Sequence, residues 1–472
     1  MALSPRLQRF LWTGLLLAAG VVIAVQGIRL LEAIQAGVVT SSDFCPDYDT
    51  ARHWLSGAPI YTPTLCWSRF SSTPQPVEYD SHPPSSLLLL APFALFSYGL
   101  ASWLWGLFSL ACLLLSLLII CRELGLWSLR SVVPILALFL LWEPTMESTR
   151  AGNIGGGIIC LMVALTWRAL RRNQQLQAGT LAGLAIAFKV LPILLLPLFL
   201  LRRQWRALYS SVAALLLSVL VSLALMGPRA WLDYLGPVRV NENPAVAVPG
   251  NLSLEGLVAR WLAGYHEFLH PGASRAFIDL APLVSGFSLQ TALLLGDGLA
   301  ALIIALTSIW LWKRRAEPRW GEQDDAGFAF ILTLTFLVFP RAWQWGLVLL
   351  AMPLLWLAVK LVRQPSSKAR WPGGLAAILL AVPFSLITPA FQAQQQTSLP
   401  WLVRLGALLL TTIPTIGVIL LLLALWPSLT TQTAQLASQQ VPGEFLTAWS
   451  GPTRHRSSLG KWLYRCAPFL PW

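Results

Sequence analysis

Long apolar stretches alternate with short basic segments along most of the chain. A helix needs about 20 apolar residues to cross a membrane, and the pattern predicts ten such spans. Two further apolar stretches, residues 85–97 and 178–201, are too short or too interrupted to be simple crossings, so the expected count is ten to thirteen. The predicted spans are residues 10–32, 100–121, 131–148, 153–171, 206–226, 288–312, 326–340, 346–363, 372–391 and 401–426.

The stretch 178–201 consists of two half-length apolar runs that meet at Lys189 and Pro192. A lysine and a proline in such a place predict a broken helix pair that enters the membrane and returns, because irregular backbone at that depth must line a cavity. Lys189 can then extend to the interface, neutralise a carboxylate or hold a phosphate.

The basic residues predict the orientation of the chain. Most of the 33 Lys and Arg residues fall on one side of the predicted spans, and the positive-inside rule makes that side the cytoplasm, with both termini there. A full crossing by residues 85–97 would invert every later segment, so the charge distribution argues against it. The other side carries two long loops, residues 33–86 and 227–287, where we expect function because loops on rigid spans can place reactive groups.

Composition narrows the class. The chain is 56% hydrophobic and 11% charged, whereas soluble proteins carry roughly 25% charged residues, so this is a multi-pass membrane protein. The net charge of +13 does not indicate nucleic-acid binding, because the basic residues separate apolar spans and form no basic domain. We expect residues 1–426 to form the membrane domain and residues 427–472 a polar, basic cytoplasmic tail. Cys45 and Cys66 share the first loop and can pair if it faces an oxidising compartment.

The first loop opens with three carboxylates, Asp43, Asp47 and Asp49, directly beside the first predicted span. Carboxylates at the mouth of a membrane helix are costly to desolvate, so they need an explanation. One explanation is a solvated loop in which they cap a helix; the other is that one of them is a catalytic base. After Pro46, apolar residues recur at helical spacing until Gly57, which predicts an amphipathic helix on the outer surface.

Further candidate residues lie in the later outer segments. His82 can bind an anionic leaving group or be an ordinary surface histidine before a proline turn. Arg341 and Trp343 belong to a short segment in which aromatic side chains suit either a sugar-binding wall or the interfacial aromatic belt. Asn251 or Ser253 caps a predicted helix.

One span ends in charged and glycine-rich sequence. Glu147 and Arg150 form an expected ion pair, although the role of Arg150 stays open. Asn153 follows, and the glycines at positions 155–157 favour close helix packing over close approach of a ligand.

Taken in order, these segments resemble glycosyltransferase family 87, polyprenyl-phosphate-sugar-dependent enzymes of the GT-C superfamily. The resemblance covers roughly residues 10–425. Two family motifs differ here, since the chain has Gly152-Asn153-Ile154-Gly155 where the family has Gly-Gln-x-Asn, and Trp345 where it has a His. The matching residues are Asp43, Phe44, Tyr48, Ala51, Leu55, Gly57, Tyr61, Tyr79, Pro83, Pro84, Pro92, Leu104, Trp105, Gly152, Asn153, Lys189, Pro192, Asn251, Ser253, Leu254, Gly256, Pro340 and Trp343.

The resemblance implies an all-α polytopic fold, a GT-C-like bundle of about ten to thirteen transmembrane helices whose long extracytoplasmic loops carry amphipathic helices. It implies transfer of a hexose, with mannose expected, from a polyprenyl phosphate to a lipid or glycan acceptor, with inversion, at the outer face of the cell membrane. The catalytic aspartate of the family maps onto Asp43.

The remaining roles follow from charge and residue type. The leaving phosphate needs cations, for which His82, Lys189 and Arg341 are the candidates. The expected acceptor or sugar contacts are Asp47, Tyr48, Asn153, Asn251 and Trp343. The donor contains no nucleotide diphosphate, so we expect no metal and no other cofactor, although Asp43, Asp47 and Asp49 can bind one.

Two other functions fit the same pattern of charges. A transporter or flippase of a lipid-linked sugar would use a similar cavity, but such proteins more often carry internal repeats, and the sequence shows none. A non-catalytic membrane scaffold descended from the enzyme would explain the two altered motifs.

Overall fold

The computed structural model is helical over most of its length, with four two-residue strands in two separate antiparallel pairs. The chain divides into Met1–Leu429 and Thr430–Trp472, and nearly all described residues belong to the first unit. The predicted tail therefore lies almost entirely outside the described residues. The structure describes residues 5–39, 43–62, 65–66, 75–76, 80, 82–241, 250–263, 265–266, 279–280, 286–313, 320–364, 367–383, 386–387 and 400–430.

The elements follow one another with short connections. The strands are β1 (Leu65–Cys66), β2 (Gln75–Pro76), β3 (Tyr265–His266) and β4 (Asp279–Leu280), and two 3₁₀ helices span Leu191–Leu194 and Gln344–Leu350. The α-helices are α1 (Pro5–Val39), α2 (Phe44–Ser56), α3 (Pro84–Ala94), α4 (Tyr98–Glu123), α5 (Leu129–Leu141), α6 (Glu143–Ala151), α7 (Ile158–Arg171), α8 (Gln175–Phe188), α9 (Leu195–Leu201), α10 (Trp205–Asn241), α11 (Leu254–Leu262), α12 (Leu289–Lys313), α13 (Glu322–Val338), α14 (Ala351–Arg363), α15 (Arg370–Leu380) and α16 (Trp401–Thr430).

Among the described residues, six helices are long and apolar enough to cross a membrane, and α5 with α6, bent by 62°, makes a seventh if counted as one span. The multi-pass, all-helical class predicted from the sequence is confirmed. Two predicted spans are shorter than expected, since α7 and α15 contain 14 and 11 residues, whereas α13 contains 17 and begins four residues before the predicted span. The six long spans are Phe10–Gln35, Tyr98–Glu123, Trp205–Leu235, Leu289–Trp312, Gln344–Arg363 and Trp401–Pro427.

The predicted broken pair is present at Lys189. Helix α8 ends one residue before it, Lys189 is extended (φ −152°, ψ 122°), and the 3₁₀ helix and α9 lead the chain back. Arg202, just after α9, pairs with Asp324, while Arg171, shortly before α8, pairs with Asp325. Asp324 and Asp325 are neighbours on α13, so the start of α8 and the end of α9 lie close together at one end of the helices. Lys189, where the helix pair turns back, lies at the opposite end.

Ion pairs join several helix ends in one region, which we call the ion-pair end. Glu123, at the end of α4, accepts from Arg172 at 2.9 Å and lies 3.4 Å from Arg168 on α7. A rise of about 1.5 Å per residue places the two ends of α7 about 20 Å apart. The members of the ion-pair end are Glu123, Arg168, Arg171, Arg172, Arg202, Asp324 and Asp325.

Helix α3 does not cross to the ion-pair end. Near its start, the Ser85 hydroxyl donates to the carbonyl of Ala187, close to Lys189. At its end, Arg52 of α2 donates to the carbonyl of Ala94 at 3.1 Å. Both ends of α3 therefore lie with α2, away from the ion-pair end, as the charge distribution predicted for residues 85–97.

Candidate active site

Helix α2 presents the first predicted site residue. It begins at Phe44, directly after Asp43, and ends at Gly57, whose left-handed conformation (φ 72°) suits a residue without a Cβ. The Asp43 side chain makes no capping hydrogen bond. Instead, its Oδ2 accepts from the Asn153 amide at 2.5 Å. The interpretation of Asp43 as a helix cap is therefore wrong, and its carboxylate faces a residue 110 positions away.

Aromatic packing fixes α2 in place. The ring of Phe44 stacks on Trp105 of α4, with centroids 5.5 Å apart and planes at 13°. The Tyr48 hydroxyl donates to the carbonyl of Phe96 at 2.9 Å. Cys45 is disulfide-bonded, while the side chain of Cys66, with which the sequence allows it to pair, lies outside the described residues. Asp43 thus stands at the start of a helix that is anchored on several sides, and Tyr48 is one of the anchors.

Asn153 joins two predicted site residues. Its Nδ2 donates to Asp43, and its Oδ1 accepts from Lys189 Nζ at 2.6 Å and from the backbone N–H of Gly155 at 2.7 Å. Only this amide orientation fits, because a carboxylate only accepts and an ammonium only donates. We call this chain of three side chains the Asp43–Asn153–Lys189 relay.

The turn that carries Asn153 depends on glycine. Gly152 has φ 62°, and its carbonyl accepts from Trp105 Nε1 at 2.5 Å. A Cβ at Gly156 would overlap Ser148, and a Cβ at Gly157 would overlap Ser109. The predicted packing role is confirmed for Gly156 and Gly157, whereas a Cβ at Gly155 would meet Asn153 and Lys189. The same run explains why α7 begins late, at Ile158.

A second group of charges lies next to the relay. His82 Nδ1 is 2.8 Å from Asp47 Oδ1 and 3.3 Å from Asp80 Oδ1, and all three side chains are buried. Burial raises the pKa of Asp47 to about 7, although His82 lowers it. Burial lowers the pKa of His82, but its attraction to Asp47 and its hydrogen bonds to both carboxylates outweigh this and raise it to about 10. His82 is therefore an imidazolium held between two carboxyl groups.

Lys189 lies within electrostatic reach of Asp43, Asp47 and His82. The structure therefore brings Asp43, Asp47, His82 and Lys189 together near Asn153. These four residues come from three distant parts of the chain. Asp49, the third carboxylate of the first loop, is half-exposed and lies near Arg52 and His53 instead.

Two outer segments, residues 250–256 and 339–345, are tied to each other. Asn251 Nδ2 donates to the carbonyl of Pro340 at 2.7 Å, and its Oδ1 accepts from the N–H groups of Ser253 and Ala342. Ser253 caps α11 by accepting from Gly256 N–H at 2.9 Å. The side chain of Asn251 is thus engaged with the protein, and the cap predicted at Asn251 or Ser253 is Ser253.

Trp343 and Arg341 lie in the segment 339–345. The ring of Trp343 stacks on Trp345 at 5.0 Å with planes at 8°. The following 3₁₀ helix, Gln344–Leu350, packs against α6, the helix that leads into Gly152 and Asn153. Arg341 lies within electrostatic reach of Tyr234, which also senses Asp80.

Asp80 and Arg260 have no role in the sequence analysis, and Tyr61 enters it only as a position that matches the family. Asp80 lies in the first loop two residues before His82, and Tyr61 donates from its hydroxyl to the carbonyl of His82 at 2.8 Å. Arg260 of α11 is completely buried and donates to the carbonyl of Asn251 at 2.9 Å. The Asp80-x-His82 spacing was a usable signal for Asp80, whereas Arg260 carries none that distinguishes it from helix-surface residues.

The arrangement fits group transfer to a hydroxyl. A partly exposed carboxylate, Asp43, is held in one orientation by an amide and can accept a proton. A partly buried cation, Lys189, lies one amide away and can stabilise a developing negative charge.

Comparison with curated proteins finds mycobacterial and corynebacterial enzymes. A polyprenol-phosphate-mannose-dependent alpha-(1-2)-phosphatidylinositol mannoside mannosyltransferase of Mycobacterium tuberculosis is 25% identical over 335 residues, which are 65% of this chain and 75% of the relative. A pentamannoside mannosyltransferase of this type from Mycolicibacterium smegmatis is 25% identical, covering 71% and 75%. An alpha-(1->3)-arabinofuranosyltransferase of Corynebacterium glutamicum is 29% identical, covering 43% and 47%.

Among solved structures, the chain is similar to ArnT from Cupriavidus metallidurans bound to undecaprenyl phosphate. That match has a TM-score of 0.33 and 16% identity and covers 90% of this chain and 81% of ArnT. The model of glycosyltransferase family 87 matches residues 81–340, more than half of the 472 residues. This protein therefore belongs to glycosyltransferase family 87, as its motifs indicated, and is a membrane glycosyltransferase.

Proposed function

We propose that the protein transfers a hexose, with mannose as the first candidate, from a polyprenyl-phosphate sugar to a hydroxyl of a lipid or glycan acceptor. The family supplies the reaction class. The names of two relatives specify a polyprenol-phosphate-mannose donor, and those of others specify arabinofuranosyl transfer, so the reaction class is better supported than the sugar.

The observation that carries the proposal is the Asp43–Asn153–Lys189 relay. Asn153 holds Oδ2 of Asp43, so we assign the acceptor hydroxyl to Oδ1. As the acceptor oxygen forms its bond to the anomeric carbon, its proton passes to Asp43. The bond from that carbon to the phosphate oxygen breaks on the opposite face and its electron pair leaves with the polyprenyl phosphate. A single displacement of this kind inverts the anomeric centre and needs only one carboxylate.

Lys189 is the cation we assign first to the leaving phosphate. It is near Asp43 without being paired directly to it, so its charge can act on a third group. Arg341 is the second candidate, because it lies within electrostatic reach of Tyr234, which in turn lies within electrostatic reach of Asp80. His82 contributes less, since its Nδ1 is already held by Asp47. The stacked Trp343 and Trp345 are the candidate surface for the sugar or acceptor.

The same charges orient the protein. We place the ion-pair end at the cytoplasmic face, with both termini, and the relay at the outer face of the cell membrane. The disulfide of Cys45 supports this orientation, because disulfides persist in oxidising compartments.

The test is transfer of radiolabelled mannose from polyprenyl-phosphate-mannose into extractable lipid by membranes that contain equal amounts of each variant. We expect product from wild type, a loss of about 10²- to 10⁴-fold in Asp43→Asn, and nearly full activity in Asp49→Asn, the matched control on the same helix. Equal activity of wild type and Asp43→Asn would remove Asp43 from its role. Product from a polyprenyl-phosphate-arabinofuranose donor alone would replace mannose by that sugar, and movement of intact donor across the bilayer without transfer would favour a flippase.

A further inference from the structure

One buried cluster at the site end of the protein contains no residue of the Asp43–Asn153–Lys189 relay. It contains Asp47 on α2, and Asp80 and His82 in the segment that leads into α3. This cluster lies next to the relay but shares no residue with it. An inference about it therefore does not depend on the proposed function.

The three side chains converge on one point. Asp47 and Asp80 each offer a carboxylate oxygen and His82 a ring nitrogen, all within 4.8 Å of one another. His82 Nδ1 lies 2.8 Å and 3.3 Å from the nearer oxygens of Asp47 and Asp80. In a tetrahedral zinc site with bonds of about 2.0–2.1 Å, neighbouring ligand atoms are about 3.3 Å apart. The spacing to Asp80 matches that value and the spacing to Asp47 is about 0.5 Å shorter, so His82 and Asp47 would move slightly apart to hold an ion.

Unpartnered oxygens provide a second, independent observation. The other carboxylate oxygens, Asp47 Oδ2 and Asp80 Oδ2, are buried without a hydrogen-bond partner, and the two side chains are 1% and 0% exposed. Buried carboxylate oxygens are normally satisfied, so such atoms need a partner. His82 Nδ1 engages one oxygen of each carboxyl group and leaves the other two buried oxygens without a partner, whereas a divalent ion can accept lone pairs from both carboxyl groups.

The ligand types select the ion. A ring nitrogen with carboxylates suits Zn²⁺ or Mn²⁺, whereas Mg²⁺ and Ca²⁺ prefer shells of oxygen alone. We propose that Asp47, Asp80 and His82 bind one divalent transition-metal ion, with Zn²⁺ as the preferred one. Binding displaces the proton from His82 Nδ1 to solvent, so the ion replaces the proton as the charge between the carboxylates. The expectation of no metal came from the donor's chemistry and did not consider Asp80.

The position of the site gives the ion a structural role. It would join the segment Asp80–His82 to α2, one helical turn beyond Asp43, while Tyr61 holds the carbonyl of His82 from the other side. Asp47, Asp80 and His82 are then positioning residues that fix α2 and, through it, the orientation of Asp43.

Metal content is the primary measurement. Tag-free, full-length protein purified in detergent is stripped with a chelator, incubated with Zn²⁺ and desalted, and its metal is measured by mass spectrometry. We expect one ion per chain in wild type and in His53→Gln, a control that changes another histidine of the first loop. We expect affinity to fall about 100-fold or more in His82→Gln and Asp80→Asn, since even residues that only support metal ligands cost 10- to 100-fold.

Thermal unfolding of the wild type gives a second measurement that needs no variant. Zn²⁺ or Mn²⁺ should raise the unfolding temperature of the stripped protein, and Mg²⁺ or Ca²⁺ should raise it less. Wild type without bound metal, or His82→Gln and Asp80→Asn with full metal content, would overturn the proposal and leave the cluster as an imidazolium bridge between two carboxylates. If Ca²⁺ raises the unfolding temperature as much as Zn²⁺ does, the assignment of the His82 ring nitrogen as a ligand is wrong.

Discussion

The two ends of α7 and α8 hold their charges in different ways. At the ion-pair end, carboxylates meet guanidinium groups directly, as Asp324 does with Arg202 and Glu123 with Arg172. At the other end, Lys189 is joined to Asp43 through the amide of Asn153. Directly paired charges neutralise each other and tie helices together, whereas charges separated by an amide remain able to act on a substrate. Under the proposed function, the ion pairs at one end contribute to stability and the relay at the other end carries out the chemistry.

Among the substitutions that compare the two ends, the largest expected effect is that of replacing Lys189. Replacing it by glutamine keeps a donor for Asn153 but removes the charge, and we expect the rate of sugar transfer to fall about 10²- to 10³-fold because the leaving phosphate loses its main cation. The measurement is kcat with a saturating polyprenyl-phosphate-mannose donor, together with thermal unfolding. If Lys189→Gln unfolds at a lower temperature than wild type and yet transfers sugar at the normal rate, Lys189 serves stability and not chemistry.

The ion-pair end should show the opposite result. Arg202 and Asp324 are 10% and 5% exposed, so Arg202→Leu leaves Asp324 buried without this partner, and we expect a loss of about 3–5 kcal/mol in the free energy of unfolding. Transfer per folded molecule should stay near that of wild type, since the relay is about 20 Å away.

The matched control removes both charges. Arg202→Leu combined with Asp324→Leu should regain most of the lost stability, because two apolar side chains of similar size leave no buried charge. The measurement is unfolding of both variants in detergent. If the double variant is no more stable than the single one, the cost lies in packing and not in charge.

The sequence was sufficient to predict the structural features that depend on residues close together in the chain. Hydropathy located α1, α4, α10, α12 and α16, and the interruption at Lys189 predicted the broken pair. Helical spacing and Gly57 predicted α2 to within a few residues. Each of these features is decided within one or two helical turns or by the length of an apolar run, so a linear pattern contains it.

Features that depend on distant residues were not predictable in this way. Asn153 was chosen by resemblance, but nothing in its neighbourhood shows that it bridges Asp43 and Lys189. The pairing of His82 with Asp47 joins positions 35 residues apart across a loop, and it changes His82 from a free cation to a partnered one. Hydropathy also overestimated the length of α7, because residues 152–157 form the turn that positions Asn153.

The smallest expected effect concerns Arg150, whose role the sequence left open. It lies near the relay in sequence, but its guanidinium is 52% exposed and pairs with Glu147 at 2.6 Å, three residues earlier on α6. Exposed pairs of this kind contribute about 0–1 kcal/mol, so Arg150→Ala should change the free energy of unfolding by no more than that. Transfer should also stay near wild type, because Lys189 and not Arg150 is bonded to Asn153. The measurement is kcat and KM for the donor in parallel with Lys189→Gln. A rise in the donor KM with unchanged stability would mean that Arg150 binds the phosphate as well, so that charge available to substrate extends from the relay to the exposed end of α6.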